Sequence, residues 1–255
     1  MTKLHRPFRF GVSVGELMTR ETLIETARAV EDLGYSVFGC TDHINAQLAP
    51  MVTLATVAAV TKTIELQPLV LANDFRHPAL LAREAATLDL LSGGRFSLGV
   101  GAGWLGSDFQ TTGITFHPPR VRIQRLAETI AIFKGLQTGE PFDFDGDHFR
   151  ITAMGPEPRP IRSPIPLMVA GSGRVLLSLA ARTADMVALN PGLPMSAGRW
   201  QTGPSPYADI TDTKLAWIRS AAGGRFDQLD IQASVFAGGI TSRDRLQKLA
   251  PVASL

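Results

Sequence analysis

The sequence contains very little cysteine, with Cys40 alone among its 255 residues. One cysteine excludes an internal disulfide and leaves no thiolate cluster that could hold zinc. Cys40 lies in an apolar stretch, where a free cysteine usually behaves as a small buried hydrophobic residue. Folds that depend on disulfides or on zinc thiolates are therefore excluded.

Long apolar runs and a strong net charge are absent too. No apolar run approaches the roughly 20 residues that a membrane-spanning helix needs. Residues 1–8 lead straight into a predicted strand and contain no signal-peptide core. The net charge is only +2, which gives no reason to invoke nucleic acid or a membrane surface as a partner. We therefore expect a cytoplasmic protein that acts on a small molecule.

Motifs for metal binding and for hydrolysis are also missing. No pair of histidines has the His-x-x-x-His spacing of a zinc site, and no Gly-x-Ser-x-Gly nucleophile turn occurs. Asp143, Asp145 and Asp147 alternate as in part of a calcium loop, but the distal glutamate and the loop length of such a site are lacking. The sequence therefore predicts no metal site.

Strands and helices alternate along the chain, an order that is typical of a parallel α/β sheet. The length of 255 residues matches one (β/α)8 barrel, which usually has about 250 residues. Predicted strands cover residues 8–14, 36–42, 64–73, 96–102, 167–170, 186–190 and 230–236. Predicted helices cover residues 19–33, 54–60, 78–91, 118–135, 174–183, 214–222 and 242–249.

The predicted architecture is one TIM-type (β/α)8 barrel domain over residues 1–255, with insertions at about 139–165 and 191–212. The first insertion contains a predicted hairpin around Asp145 and Gly146. The second is rich in proline, glycine and serine, which favours irregular structure. Only seven strands are recognisable where a closed barrel needs eight. We therefore expect the last β-α unit to be missing or shortened.

Polar residues follow the third and fourth predicted strands. Ala72 and Asn73 end the third strand, and the amide of Asn73 offers both a donor and an acceptor to a ligand. A simple turn is the alternative for this pair. Because ligands in parallel α/β folds bind outside the carboxyl ends of strands, this end is a candidate wall of a site.

Glycines end the fourth strand in the run Gly101, Ala102, Gly103, which is followed by Trp104. Glycine permits close approach of the backbone to a ligand, and the amides after it can bind an anion or a carbonyl. The spacing is not that of a dinucleotide-binding turn. Trp104 either covers a ligand or serves only in packing.

Two further strand ends carry candidate chemistry. Asp42 and His43 end the second strand, where imidazole could exchange a proton near neutral pH while the carboxylate holds its tautomer. A helix-capping turn is the alternative for this pair. Gly171, Ser172 and Gly173 end the fifth strand and open a helix, so their amides and hydroxyl form a candidate phosphate site.

Several of these motifs together resemble a known family. They are the Phe-Arg-His-Pro turn at 75–78, the helix exit Thr-Leu-Asp-Leu-Leu-Ser-Gly-Gly-Arg-Phe at 87–96 and the strand Leu-Gly-Val-Gly-Ala-Gly-Trp at 98–104. They resemble the luciferase-like monooxygenase superfamily and, more narrowly, its actinobacterial coenzyme F420-dependent oxidoreductases. The likeness extends in order over about residues 8–190.

This resemblance implies a barrel that binds F420 across its strand ends and moves a hydride between the deazaflavin and a small organic substrate. His43 would be the proton donor or acceptor, with Asp42 as its orienting partner. Ala72 and Asn73 would lie at a β-bulge with a non-prolyl cis peptide, expected at Leu71–Ala72 or Ala72–Asn73.

The resemblance also implies the rest of the cofactor site. Gly101, Ala102, Gly103 and Trp104 would shape the face that meets the ring, and Gly171, Ser172 and Gly173 would hold the phosphate. The sugar-phosphate dehydrogenases of this family carry a glutamate at the position of Trp104, which argues against that substrate.

Two alternatives stay open at this point. An FMN-dependent monooxygenase of the same superfamily would present a similar ring and phosphate to the protein. A non-catalytic barrel paralogue that has lost its last unit is the alternative of another class. The resemblance further implies a homodimer, and the substrate is left open.

Overall fold

A computed structural model describes residues 8–44, 47–189 and 207–234. Its strands are β1 (Gly11–Val14), β2 (Val37–Cys40), β3 (Glu65–Pro68), β4 (Leu71–Ala72), β5 (Leu98–Gly101), β6 (Phe142–Asp145), β7 (Arg150–Met154), β8 (Leu167–Gly171), β9 (Met186–Leu189) and β10 (Asp230–Ala233). Its α-helices are α1 (Arg20–Asp32), α2 (Pro50–Val60), α3 (Pro78–Ser92), α4 (Gly106–Thr112), α5 (Pro119–Gly135), α6 (Arg174–Thr183) and α7 (Tyr207–Ala222). Short 3₁₀ helices cover Asn73–Phe75 and Gly223–Gln228.

The parallel strands follow one another in the order of a (β/α) barrel. One sheet has the order β1-β2-β3 and another the order β4-β5-β8-β9-β10. An isolated parallel bridge between Leu66 of β3 and Phe96 ahead of β5 joins them. The seven predicted strands therefore occupy consecutive places, with β3 and β4 sharing the third. The predicted hairpin is β6 paired antiparallel with β7.

The two ends of this strand series approach each other at the amino-terminal ends of the strands. Arg9, ahead of β1, forms ion pairs with Glu65 of β3 at 3.0 Å and with Asp230 of β10 at 3.3 Å. Within the part of the chain that the structure describes, no ladder joins β1 to β10. The sheet is thus curved as in a barrel, with β1 and β10 at its edges.

Local sequence signals account for the helix that leads away from the third strand. Pro78 occupies the first turn of α3, and the side chain of His77 caps the helix by accepting from the amide of Ala79 at 3.3 Å. Gly93 ends the helix with φ +73°, a left-handed conformation that glycine adopts at low cost. Helix α3 packs through its buried face on the core, which includes Leu81, Leu88, Phe38, Leu66 and Leu98.

The third strand contains one residue more than its neighbour. Leu66 is bridged to Phe96 and Leu71 pairs with Val100, so five steps along β3–β4 match four along β5. This extra residue is a β-bulge, which bends a strand and redirects the residues that follow it. The non-prolyl cis peptide lies within the bulge, at Leu69–Val70.

Three glycines on adjacent strands make room for the bulge. A Cβ atom on Gly39 would lie 2.6 Å from Leu69 Cδ1, and one on Gly101 would lie 2.8 Å from Val70 Cγ2. A Cβ atom on Gly99 would lie 2.1 Å from the carbonyl oxygen of Pro68. Glycine at these positions is thus required by close approach of the third strand.

The structure corrects four predictions. The cis peptide is not at Leu71–Ala72 or Ala72–Asn73, because the extra residue is accommodated earlier, where the glycines leave space. Strand three is accordingly not continuous over 64–73. The loop 103–117 contains α4, and α7 begins at Tyr207, within the second predicted insertion. The helix predicted at 242–249 lies outside the described residues.

Helix α1 is tied to the start of β3 through one carboxylate. Glu31 accepts hydrogen bonds from the amides of Lys62, Thr63 and Ile64 at 2.9, 2.7 and 3.0 Å. Burial opposes ionisation of this carboxylate, but the amide hydrogen bonds outweigh it and lower the pKa of Glu31 to about 2. Folding therefore favours the charged form.

Replacing Gly99 by alanine is expected to destabilise the fold by about 1–3 kcal/mol, because backbone rather than a flexible side chain blocks the added methyl group. Urea unfolding of Gly99→Ala against the wild type measures this loss. Gly155→Ala is the matched control, since a Cβ atom on Gly155 meets nothing within 4 Å. Equal unfolding free energies for the two variants would contradict the proposed space requirement.

Acid should remove the contribution of Glu31 to stability. Because its pKa is lower in the folded than in the unfolded chain, the stabilisation is complete above the unfolded value of about 4.3 and lost as the pH falls towards 2. The free energy of unfolding of Glu31→Gln should thus depend less on pH between these values than that of the wild type. Glu25→Gln, an exposed change on the same helix, should keep the wild-type dependence.

Candidate active site

Asp42 joins three elements at the carboxyl ends of the strands. Its carboxylate accepts a hydrogen bond from the Ala72 amide at 2.9 Å and two from the guanidinium of Arg76, at 2.6 and 3.0 Å. The Asp42 side chain is only 5% exposed. It therefore ties the end of β2 to β4 and to the turn that begins α3.

His43 has a different carboxylate as its partner. Its Nδ1 lies 2.7 Å from Oδ2 of Asp108, a buried residue of α4. The prediction that Asp42 orients His43 is therefore wrong, because consecutive residues that leave a strand point to opposite sides and Asp42 is occupied by Arg76. Since an ionised carboxylate only accepts, this contact assigns the proton to Nδ1 and leaves Nε2 for a ligand.

Trp104 lies beside His43 at the mouth of the site. The two rings meet edge to face, with centroids 5.7 Å apart at 89°. Trp104 is 48% exposed, so a large part of the indole faces outward while it contacts the imidazole. The ends of β2 and β5 are thus brought together.

Backbone pairing places the glycine-rich end of β5 between two other strand ends. Gly101 pairs with Ala72 on one side and with Ala170 on the other, so Gly171 follows at the same edge. Gly103 has φ +71°, and a Cβ atom there would lie 2.9 Å from the Phe109 ring. The turn therefore depends on glycine for both its conformation and its space.

The side chain of Arg122, on α5, contacts this turn. Its guanidinium donates to the carbonyl oxygens of Gly103 and Ala102 and lies 4.2 Å from the centroid of the Phe116 ring. Burial lowers the pKa of Arg122, and the nearby charge of Asp74 opposes that shift. Sequence reasoning missed this residue, because its contacts join segments that only the fold brings together.

Asn73 is buried at the end of β4, with 2% of its surface exposed. Its Nδ2 donates to Oδ1 of Asp74 at 3.1 Å, whereas its own Oδ1 has no hydrogen-bond partner among the described residues. A buried acceptor without a partner costs stability unless a ligand or water supplies the donor. Asn73 therefore fits a ligand that brings a hydrogen-bond donor.

The predicted phosphate site lies at the end of β8 and the start of α6. Gly173 is the N-cap of α6, no side chain caps this helix, and Ser172 and Gly173 are exposed. The first amides of the helix are therefore free to meet an anion. A Cβ atom on Gly173 would meet nothing within 4 Å, so the site is open from outside.

The residues at this edge fit a cofactor that has a planar ring and a phosphate. Asn73 supplies an orphaned acceptor, Gly101 pairs between the ends of β4 and β8, and the start of α6 offers amides to an anion. Cys40 is the last residue of β2, and burial raises the pKa of its thiol to about 11. Among the described residues, no helix is long and apolar enough to cross a bilayer.

Asp108 and α4 are further features of the candidate site that sequence reasoning missed. Helix α4 is short and lies in a stretch rich in glycine, so its apolar periodicity is too brief to predict a helix. The one available signal was Gly113, which ends the helix with φ +73°. The contact between His43 and Asp108 spans 65 positions of sequence and has no local signature.

Comparison with known proteins identifies relatives of this chain. An F420-dependent glucose-6-phosphate dehydrogenase from Nakamurella multipartita is 30% identical over 251 residues, which are 94% of this chain and 70% of that protein. An FMNH(2)-dependent dimethylsulfone monooxygenase from Pseudomonas putida is 34% identical over 109 residues, which are 42% of this chain and 30% of that protein.

The fold and the family are shown by two further matches. The coenzyme F420-dependent tetrahydromethanopterin reductase from Methanopyrus kandleri superposes with a TM-score of 0.75 at 22% identity, covering 89% of this chain and 65% of that one. The family described as luciferase-like monooxygenase matches residues 6–202. The α/β fold with strands in barrel order agrees with this assignment. The chain belongs to the luciferase-like monooxygenase family.

Proposed function

We propose that the protein is an F420-dependent oxidoreductase that moves a hydride between the deazaflavin and a small organic substrate. The observation that supports this most directly is His43, which Asp108 fixes beside Trp104 at the carboxyl ends of the strands. The similarity to an F420-dependent dehydrogenase over 94% of the chain favours the same cofactor.

The residues that would hold the cofactor lie on three neighbouring strand ends. Ala72 and Asn73, which follow the bulge of the third strand, and the turn from Gly101 through Ala102 to Gly103 would support the ring. The amides of Gly171, Ser172 and Gly173 would bind the phosphate. When bound, the deazaflavin supplies a ring carbon that accepts or donates hydride.

His43 would hold or move the proton that accompanies hydride transfer. With Nδ1 engaged by Asp108, Nε2 is the atom that exchanges a proton with the substrate. Asp42 has a positioning role only, because its carboxylate is occupied by Ala72 and Arg76. Trp104 would cover the reacting groups and limit the access of water.

The substrate is proposed to be a small molecule other than a sugar phosphate. Trp104 occupies the position of the glutamate that the family's sugar-phosphate dehydrogenases carry, and its exposed indole presents an apolar surface at the mouth. An apolar or weakly polar substrate would bury this surface favourably.

The second candidate is an FMN-dependent monooxygenase. The relative from Pseudomonas putida, which uses FMNH2 by its name, favours this alternative, and the same glycine-rich edge would accept a flavin and its phosphate. A non-catalytic paralogue is the outcome expected if neither cofactor binds.

Fluorescence titration of the purified chain with F420, run beside FMN, is the experiment that tests the proposal. Saturable binding of F420 with little affinity for FMN is expected. Tight binding of FMN alone would assign the protein to the monooxygenases. Binding of neither cofactor would overturn the proposed enzyme class.

His43→Ala should lower turnover by about 100-fold or more, because general acid–base catalysis typically contributes that much. Asp108→Asn should lower turnover to a smaller extent and leave the Kd for the cofactor unchanged, since Asp108 acts through His43. Stopped-flow and steady-state kinetics with the bound cofactor measure both effects.

Asp147→Asn is the control, because it replaces an exposed aspartate on the β6–β7 turn. It should behave as the wild type in both assays. Wild-type turnover and cofactor affinity in His43→Ala would show that this histidine takes no part in the reaction.

A further inference from the structure

The orientation of the Asn73 amide is set by its neighbour. The side chain of Asp74 is 2% exposed, and its Oδ1 accepts from Nδ2 of Asn73 at 3.1 Å and from Nε of Arg125 at 2.8 Å. A carboxylate paired with a guanidinium is ionised and can only accept. The amide of Asn73 must therefore turn its NH2 group towards Asp74, which leaves Oδ1 as its unpartnered atom.

Arg125 is in turn held by the hairpin that forms the first insertion. Its guanidinium lies 4.6 Å from the centroid of the Phe149 ring, and this ring also meets His77 edge to face at 5.6 Å. The turn before Phe149 is fixed because its amides donate to the carboxylate of Glu128 on α5. The hairpin thus holds the guanidinium of Arg125, which in turn orients Asp74.

We propose that Asp74, held by Arg125, is a positioning residue that makes Asn73 Oδ1 the acceptor for the imide N–H of the bound ring. The inference rests on the proposed function and adds to it the identity of one ligand contact. The inference accounts for the occupied Nδ2 and the orphaned Oδ1 of Asn73 together. Oδ2 of Asp74 is a second buried acceptor without a partner among the described residues.

The chemistry of the ring determines which of its groups can meet this acceptor. An oxidised deazaflavin or flavin ring carries a single N–H, at the imide nitrogen between two carbonyl groups. The carbonyl oxygens of the ring only accept, so they cannot pair with an acceptor. An amide fixed in the opposite orientation would present its NH2 group and would repel the imide N–H.

The test uses ¹⁵N-labelled F420 bound to the full chain, with labelled FMN in its place if the titration selects FMN. In the wild type, the imide N–H should give a resolved, exchange-protected cross-peak in a ¹H–¹⁵N spectrum, shifted downfield from that of free cofactor. Asp74→Asn allows the Asn73 amide to turn over. It should remove the shift and the protection, and it should raise the Kd about three- to tenfold, the range expected for one hydrogen bond.

Asn73→Leu is the second variant, because it keeps the size of the side chain and removes the acceptor. It should abolish the same signal. Asp145→Asn is the matched control, since it breaks an aspartate–arginine pair that is about three-quarters exposed on both sides, and it should keep the wild-type spectrum. Thermal unfolding of each variant before titration confirms that it is folded.

The possible failures are distinguishable. Absence of cofactor binding to the wild type overturns the proposed function itself. A bound cofactor whose imide signal is unchanged in folded Asp74→Asn overturns the positioning role while the proposed function stands. Loss of the signal in Asp74→Asn but not in Asn73→Leu would show that the imide pairs with Asp74 and would also overturn the proposal.

Discussion

The single extra residue in the third strand is the constraint on which the site depends. The bulged segment occupies the space that Gly39, Gly99 and Gly101 leave on the adjacent strands, and at Gly99 an added side chain would meet the backbone of Pro68. Because a bulge redirects everything that follows it, the positions of Ala72 and Asn73 at the ligand-facing edge are a consequence of glycines on other strands. The packing of the core in this region therefore also determines the geometry of the site.

Ion pairs and hydrogen bonds of buried aspartates then hold the residues of the site in place. Asp42 binds the Ala72 amide and Arg76, Asp108 binds His43, and Asp74 binds Arg125. Removing one member of a buried ion pair typically costs 3–5 kcal/mol, so Asp42 is held to Arg76 and Asp74 to Arg125. The polar atoms available to a ligand are those that take no part in these contacts, notably Nε2 of His43 and Oδ1 of Asn73.

Most elements of the fold were predictable from the sequence, because local patterns specify the longer helices and the buried strands, whereas α4 is too short to show such a pattern. The glycines at 34 and 93 end helices with positive φ, as predicted from their position after an apolar periodic stretch. The partners of the site residues were not predictable in the same way. Its neighbour in sequence, Asp42, is the partner that the sequence predicts for His43, but the fold places Asp108, 65 positions away, against the imidazole. The location of the bulge likewise depends on cross-strand space, which no single segment encodes.

In the proposed site, the residues that would bind the cofactor are not the residues that would select between F420 and FMN. F420 and FMN share the imide and a phosphate, so Asn73, the glycine turn and the start of α6 would bind either one. The two rings differ at the reacting position, which is carbon in a deazaflavin and nitrogen in a flavin. In the proposed site, selection between hydride transfer and oxygen chemistry therefore falls to the groups beside that position. Under the proposal these groups are His43, whose Nδ1 contacts Asp108 at 2.7 Å, and Trp104, whose ring meets that of His43 edge to face.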